Sequence, residues 1–258
     1  MHKLKDKKGF ICDMDGVIYH GDRLIDGAKQ FVDWAKAEGK KFLFLTNSSS
    51  KSPKELRQKL ARLGIEVSTD DFITSAMATA SFLASQNPNV GVYVIGESGL
   101  INALHDAGFY IDHVTPAYVV VGESRTYNFE QVEIAVNLVL KGAKLIGTNS
   151  DLTGPSERGV APACRAMVAP IEMATGRQAY FIGKPNPLIM REAMKRLGCT
   201  PEDTLIVGDR MDTDIIAGIE SEIETALVLS GITSREDLEM FPYQPHHILD
   251  SVADIIKQ

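Results

Sequence analysis

A chain of 258 residues with a formal net charge of −7, 44% hydrophobic and 24% charged residues, carries enough apolar material for one large domain or two ordinary ones. The acidic balance argues against a nucleic-acid partner, which would need a basic face to neutralise phosphates, and no stretch approaches the roughly 18 apolar residues of a membrane span. The cysteines, Cys12, Cys164 and Cys199, have neither paired nor metal-motif spacing, so the composition points to a reducing, cytoplasmic setting without disulfides.

Lysines 3, 5, 7 and 8 open the chain, but Asp13 cuts the apolar run behind them after a few residues, which is not the pattern of a signal peptide. Gly9-Phe10-Ile11-Cys12 reads as a buried parallel strand that stops at Asp13-Met14-Asp15-Gly16. Side chains two apart on an extended segment point the same way, so Asp13 and Asp15 are expected near each other at a strand's carboxyl end, where open α/β sheets place ligands. Two carboxylates about 4 Å apart repel by roughly 4 kcal/mol at an effective dielectric of about 20, and such a pair calls for a cation or a shared proton. An all-oxygen donor set suits Mg²⁺ better than Zn²⁺. Taken alone, Asp-X-Asp-Gly is equally the signature of a surface turn. An EF-hand loop does not fit, because its twelfth position would be Leu24 rather than Glu.

After Tyr19 the pattern predicts a polar turn, a helix over Ala28 to Gly39, and a strand Lys41 to Leu45 that ends in Thr46-Asn47-Ser48-Ser49-Ser50. Ser52-Pro53-Lys54-Glu55 is a helix start, with a cap, a first-turn proline and a Glu three residues after the Ser. A strand, a hydroxyl-rich loop and a helix in succession can hold a phosphate, although an ordinary Ser-rich connection reads the same way. Beyond a short strand at Phe72-Ile73 and a helix over Ala76 to Ser85, the alternation restarts. Gly91 to Ile95 leads into Gly96-Glu97-Ser98, Ala117 to Val121 into Gly122-Glu123-Ser124, and Lys144 to Gly147 into Thr148-Asn149-Ser150-Asp151, each expected to be followed by a helix, the last after a Gly/Pro/Ser-rich loop. The segment 82–179 is therefore expected to be a smaller α/β domain inserted into a discontinuous core of residues 1–81 and 180–258.

Tyr180-Phe181-Ile182 is read as the resumed core strand, ending at Gly183-Lys184-Pro185, and Thr204 to Val207 as a strand ending in Gly208-Asp209 and opening a helix near Asp214. Asp214 has a structural reason to be there, since acids complement a helix N-terminus; Asp209 has none. Strands over Thr225 to Leu229 and His247 to Leu249 complete a doubly wound parallel sheet of Rossmann-like α/β class. On that topology Asp13/Asp15, Thr46/Asn47, Lys184 and Asp209/Asp214 share one rim.

This set, in this order, resembles the haloacid dehalogenase superfamily over nearly the whole chain: Asp13-Met14-Asp15-Gly16 its first motif, Thr46 its second, Lys184 its third, and Gly208-Asp209 with Thr213-Asp214 its fourth. The insertion, with the strings Leu45-Thr46-Asn47, Gly183-Lys184-Pro185 and Leu229-Ser230-Gly231, is similar to the NagD-like phosphatases with an α/β cap. The resemblance implies a phosphatase acting on a small phosphorylated metabolite such as a nucleoside monophosphate or a sugar phosphate. Asp13 would be the nucleophile that forms an aspartyl-phosphate, and Asp15 the acid and then the base. Mg²⁺ would be held by Asp13, Asp209 and the backbone carbonyl of Asp15. Thr46, Asn47 and Lys184 would bind phosphate, Asp214 would support Lys184 or a metal-bound water, and Asn149 and Asp151 would read the leaving group from a closing cap. A receiver-like signalling domain and a phosphomutase are the competing readings; an acid/base at Asp15 favours turnover over preservation of the phosphorylated state. Homo-oligomer formation is open, since caps can pair and no exposed apolar face is legible.

Overall fold

The computed structural model describes residues 3–156 and 159–257. Its backbone divides into two compact units, one made of the chain up to Thr46, Leu56–Ile73 and the chain from Lys184 onward, the other of Asn47–Glu55 and Thr74–Gly183.

The first unit begins on β1 (Gly9–Cys12), buried at every residue, makes a small antiparallel hairpin from β2 (Tyr19–His20) and β3 (Arg23–Leu24), and returns through α1 (Ala28–Ala37) to β4 (Lys41–Thr46). Apolar residues at helical spacing on α1 supply its buried face: Phe31 meets the Phe10 ring edge-on at 5.5 Å and Phe42 at 5.9 Å. Burying one such ring stabilises the fold by about 1.5–3 kcal/mol, so this aromatic layer fixes β1 and β4 side by side. Helix α2 (Pro53–Arg62) and strand β5 (Phe72–Thr74) follow, Phe72 stacking on Phe44 at 5.2 Å.

The second unit runs from α3 (Ser75–Gln86) through β6 (Gly91–Ile95), α4 (Ser98–Asp106), β7 (Tyr110–Ile111), β8 (Tyr118–Val121), α5 (Phe129–Leu140) and β9 (Lys144–Gly147). The Gly/Pro/Ser-rich stretch, expected as a loop, is an antiparallel pair, β10 (Thr153–Ser156) and β11 (Gly159–Pro162), which precedes α6 (Cys164–Thr175) and β12 (Tyr180–Phe181). Among the described residues its main sheet has the order β12-β9-β8-β6-β7, parallel throughout.

The unit boundaries differ from the sequence expectation at both ends, for local reasons. Helix α3 packs on α4 and belongs to the second unit. Strand β12 does not resume the core sheet; it is half-exposed, pairs with β9 in the register Phe181↔Gly147, and lays the Phe181 ring where a side chain at 147 would be, an added Cβ falling 2.3 Å from it. Two residues of strand propensity cannot tell which of two parallel sheets they will join.

The chain re-enters the first unit at Lys184 and passes through α7 (Pro187–Leu197), β13 (Thr204–Gly208), α8 (Ile216–Glu220), β14 (Glu224–Val228), β15 (His247–Leu249) and α9 (Asp254–Lys257). The six strands of its sheet among the described residues stand in the order β15-β14-β13-β1-β4-β5. Strand β1 is central, parallel to β13 on one side (Cys12↔Val207) and to β4 on the other (Cys12↔Phe44). The connections run outward in opposite directions from it, so its carboxyl end is a topological switch point. No helix among the described residues is long and apolar enough to cross a membrane.

Candidate active site

The register sets the site. With Cys12 level with Val207 and Phe44, the residues just beyond, Asp13, Asp209 and Thr46, leave three adjacent strands at the same edge. Lys184 enters on the loop before α7, where Asn186 caps the helix by accepting from the Leu188 N–H at 2.9 Å. Its ammonium is buried and donates to Asp13 Oδ1 at 2.8 Å, Asp214 Oδ1 at 2.6 Å and the Leu45 carbonyl at 3.0 Å. The other oxygen of Asp214 accepts from the Arg210 N–H at 3.2 Å.

Asp13, Asp209 and Asp214 each bring a carboxylate oxygen within 4.8 Å of the other two. Three acids thus face the Lys184 ammonium, and the charge balance shows in the acidities of the two most buried, Asp209 and Asp214. Burial, then the charges of Asp13 and Asp214, push Asp209 up to about 8. Burial raises Asp214 to about 6 while Lys184 pulls it back. Burial alone would lower Lys184, but Asp13 and Asp214 outweigh it and hold the amine above its ordinary range. Asp13 is the accessible member, its side chain 14% exposed against 1% for Asp214.

Asp209 is held in an unusual way. Its Oδ2 accepts from the Ile232 N–H at 2.8 Å and its carbonyl from the Thr233 N–H at 3.1 Å, whereas Oδ1 is buried without a hydrogen-bond partner among the described residues. A buried carboxylate oxygen left bare costs about 1–3 kcal/mol or more. Two glycines close on the same side chain: a Cβ at Gly231 would lie 2.0 Å, and one at Gly16 2.3 Å, from Asp209 Oδ2. Gly16 also has φ +80°, a conformation in which side-chain residues are strained. An orphaned oxygen, a surplus of negative charge and a glycine-lined wall are together what a divalent cation with oxygen ligands fits.

Asp15 sits half-buried on the turn that follows β1, its backbone bridged to Tyr19, and the Gly16 N–H donates to the Tyr19 carbonyl at 2.9 Å. Burial, then the charges of Asp15 and Asp13, push the Tyr19 phenol up. Thr46 is buried at the end of β4.

The remaining residues singled out from the sequence gather in the second unit. Asn47 donates its amide to both oxygens of Asp151 at 3.2 Å, and the Asp151 N–H donates to Asn149 Oδ1 at 3.1 Å. Asn149 is fully buried, its amide donating to the Asn47 carbonyl at 2.7 Å and to Glu123 Oε1 at 2.6 Å. Glu123 Oε2 accepts from both the N–H and the hydroxyl of Ser49. Sequence reasoning passed over Glu123 as one half of a repeated Gly-Glu-Ser string. It quoted Leu229-Ser230-Gly231 for the resemblance but gave Ser230 to Thr233 no role at the site, since backbone donors carry no residue-type signal.

Residues 10–110 match a family model described as haloacid dehalogenase-like hydrolase, and residues 181–255 one described as HAD-hydrolase-like. The chain is 43% identical to the dihydroxyacetone phosphatase of Corynebacterium glutamicum over 95% of its length and 90% of that protein's. It is 42% identical to the ribonucleotide monophosphatase NagD of Escherichia coli, covering 96% of this chain and 98% of the other, and superposes on the solved structure of that enzyme with a TM-score of 0.90. The solved 4-nitrophenylphosphatase of Thermotoga maritima is 33% identical, with a TM-score of 0.95 over 100% of this chain and 99% of its own.

Proposed function

Because the chain belongs to the haloacid dehalogenase-like hydrolases, we propose that it is a Mg²⁺-dependent phosphatase that hydrolyses small phosphomonoesters through an aspartyl-phosphate on Asp13. The observation that carries this reading is the buried Oδ1 of Asp209, without a hydrogen-bond partner among the described residues, in a cluster where three acids face the Lys184 ammonium. Asp13 and Asp209, with the backbone carbonyl of Asp15, would hold the ion; when bound, it offsets the repulsion between a carboxylate nucleophile and an anionic ester.

Asp13, the least buried acid of the cluster, attacks phosphorus, and the bond from phosphorus to the ester oxygen breaks. Asp15 gives its proton to the departing alkoxide and then takes one from the water that attacks the same phosphorus, releasing inorganic phosphate and restoring Asp13. Lys184 binds a phosphoryl oxygen beside the nucleophile it already touches, and Thr46 and Asn47 supply further donors. Asp214, bonded to both Lys184 and the Arg210 N–H, orients the lysine. Asn149, with its amide already committed, and Asp151 bear on leaving-group choice through the segment they hold.

Relatives of nearly equal identity are named dihydroxyacetone phosphatase, ribonucleotide monophosphatase and acid sugar phosphatase, so sugar phosphates and nucleoside monophosphates are the substrates to try first. Free Cys12, Cys164 and Cys199 support a cytoplasmic location. The test is phosphate release across a panel of phosphomonoesters with and without EDTA, using wild type and Asp13→Asn. Turnover is expected to need the ion and to fall by at least about 10³-fold in the variant; normal turnover by Asp13→Asn would exclude the covalent route.

A further inference from the structure

The turn after β14 touches both halves of the proposed ion site, although none of its side chains belongs to the acid cluster. The Ser230 hydroxyl donates to the Gly16 carbonyl at 2.7 Å, across 214 positions of sequence. Its own carbonyl meets His20 Nε2, at the end of the strand that leaves the Asp15-Gly16 turn. The next three residues wrap Asp209: Gly231 leaves room for the carboxylate, Ile232 N–H binds Oδ2 at 2.8 Å and Thr233 N–H binds the Asp209 carbonyl at 3.1 Å.

The consequence is directional. A carboxylate with two free oxygens can rotate; one whose Oδ2 is engaged by a main-chain N–H presents Oδ1, the oxygen that has no partner. Ser230 sits where this turn is fastened to the other carrier of ion ligands, the Asp15-Gly16 turn, and holds the two at one spacing. Ordinary turn chemistry does not require this, since Ser230 spends its donor on a carbonyl of a distant turn rather than on its own backbone.

We propose that Ser230 is a positioning residue for the cation: its hydroxyl locks the Asp15-Gly16 turn against the Ser230–Thr233 turn, so that Asp209 Oδ1 and the Asp15 carbonyl are presented together. The proposal rests on the Mg²⁺-dependent reading above and adds a residue to it. Groups that only orient ligands typically change metal affinity by about 10- to 100-fold when removed, because the free protein must then order the ligands at the moment of binding.

The experiment measures Mg²⁺ binding without substrate, by calorimetric titration and by the Mg²⁺-induced rise in Tm, for wild type, Ser230→Ala and Ser230→Thr. The same proteins are assayed with 4-nitrophenyl phosphate at limiting and saturating Mg²⁺. Ser230→Ala is expected to weaken Mg²⁺ binding about tenfold, with KM for the ester at saturating Mg²⁺ unchanged. Ser230→Thr, which keeps the hydroxyl, is expected to bind Mg²⁺ as wild type does. Wild-type affinity in Ser230→Ala, or equal weakening in Ser230→Thr, would overturn the proposal, the second because packing rather than the hydroxyl would then be responsible. A wild-type protein that turns over ester without responding to Mg²⁺ would overturn the reading beneath it, and that outcome is distinguishable because no variant is needed to see it.

Discussion

The two units are built alike and used differently. Each has a parallel sheet whose strands end in polar residues: Asp13, Thr46 and Asp209 in the first unit, Glu97, Glu123 and Asn149 in the second. In the second unit the charges are spent on the protein's own backbone and side-chain donors. Glu123 takes the Ser49 N–H and hydroxyl and the Asn149 amide, Glu97 accepts from the Arg125 N–H at 2.7 Å, and the Gly99 N–H donates to the Ser50 carbonyl at 3.2 Å. In the first unit, Lys184 and Asp214 are matched, but Asp209 keeps a buried oxygen with no partner among the described residues and a pKa pushed up to about 8. A polar strand end therefore does not mark a site by itself; polar groups the fold leaves unsatisfied do.

Substitutions at the two rims should fail in opposite ways. The largest effect is expected from Asp13→Asn, which should remove turnover while leaving the fold intact, as phosphate release and Tm measured on one preparation would show. Asp209→Asn should abolish Mg²⁺ binding and make the metal-free protein more stable at alkaline pH. The sign follows from linkage. With a native value of about 8 against an unfolded value near 3.9, Asp209 keeps a proton that the unfolded chain has released. Its contribution to native stability therefore falls as pH rises from about 4 to about 8, and is lost above that. The change is on the order of a few kcal/mol, measurable by urea unfolding of EDTA-treated protein at pH 6 and pH 9; it should shrink in Asp209→Asn and on adding Mg²⁺ to wild type.

Glu123→Gln should behave in the contrary manner. It places an amide NH₂ against groups that already donate and should cost about 1–3 kcal/mol of stability with no change in Mg²⁺ affinity; weakened Mg²⁺ binding at unchanged stability would break the contrast. The smallest effect is expected at an ordinary helix end of the second unit. Asn128 accepts from the Gln131 N–H at 3.0 Å while Gln131 accepts from the Asn128 N–H at 3.3 Å, and Asn128→Ala should cost about 1 kcal/mol.

Much of this was legible in the residues. The apolar strand stopped by Asp13 is β1, the Gly-Asp after Thr204 to Val207 is the other wall of the cluster, and Lys184 reaches both Asp13 and Asp214. These are strong signals because a charge directly after a buried strand has few structural reasons to be there. What escaped depended on partners remote in sequence. Residues 47–55 follow a core strand yet belong to the second unit, because Glu123 and Asn149, residues apart by 74 and 102 positions, hold Ser49 and Asn47. The Ile232 and Thr233 contacts to Asp209 come from main-chain N–H groups, which every residue but proline has. Asp13-Met14-Asp15-Gly16 gave no hint that the glycine's missing side chain is filled by Asp209.

The claim that unsatisfied charge around Asp209 marks a cation site is tested most directly by titrating Mg²⁺ into metal-free protein at pH 7 in two buffers of different ionisation enthalpy. Binding of one ion with release of close to one proton, both lost in Asp209→Asn, is the predicted result. Absence of Mg²⁺ binding to the wild type, or binding that survives in Asp209→Asn, would contradict it.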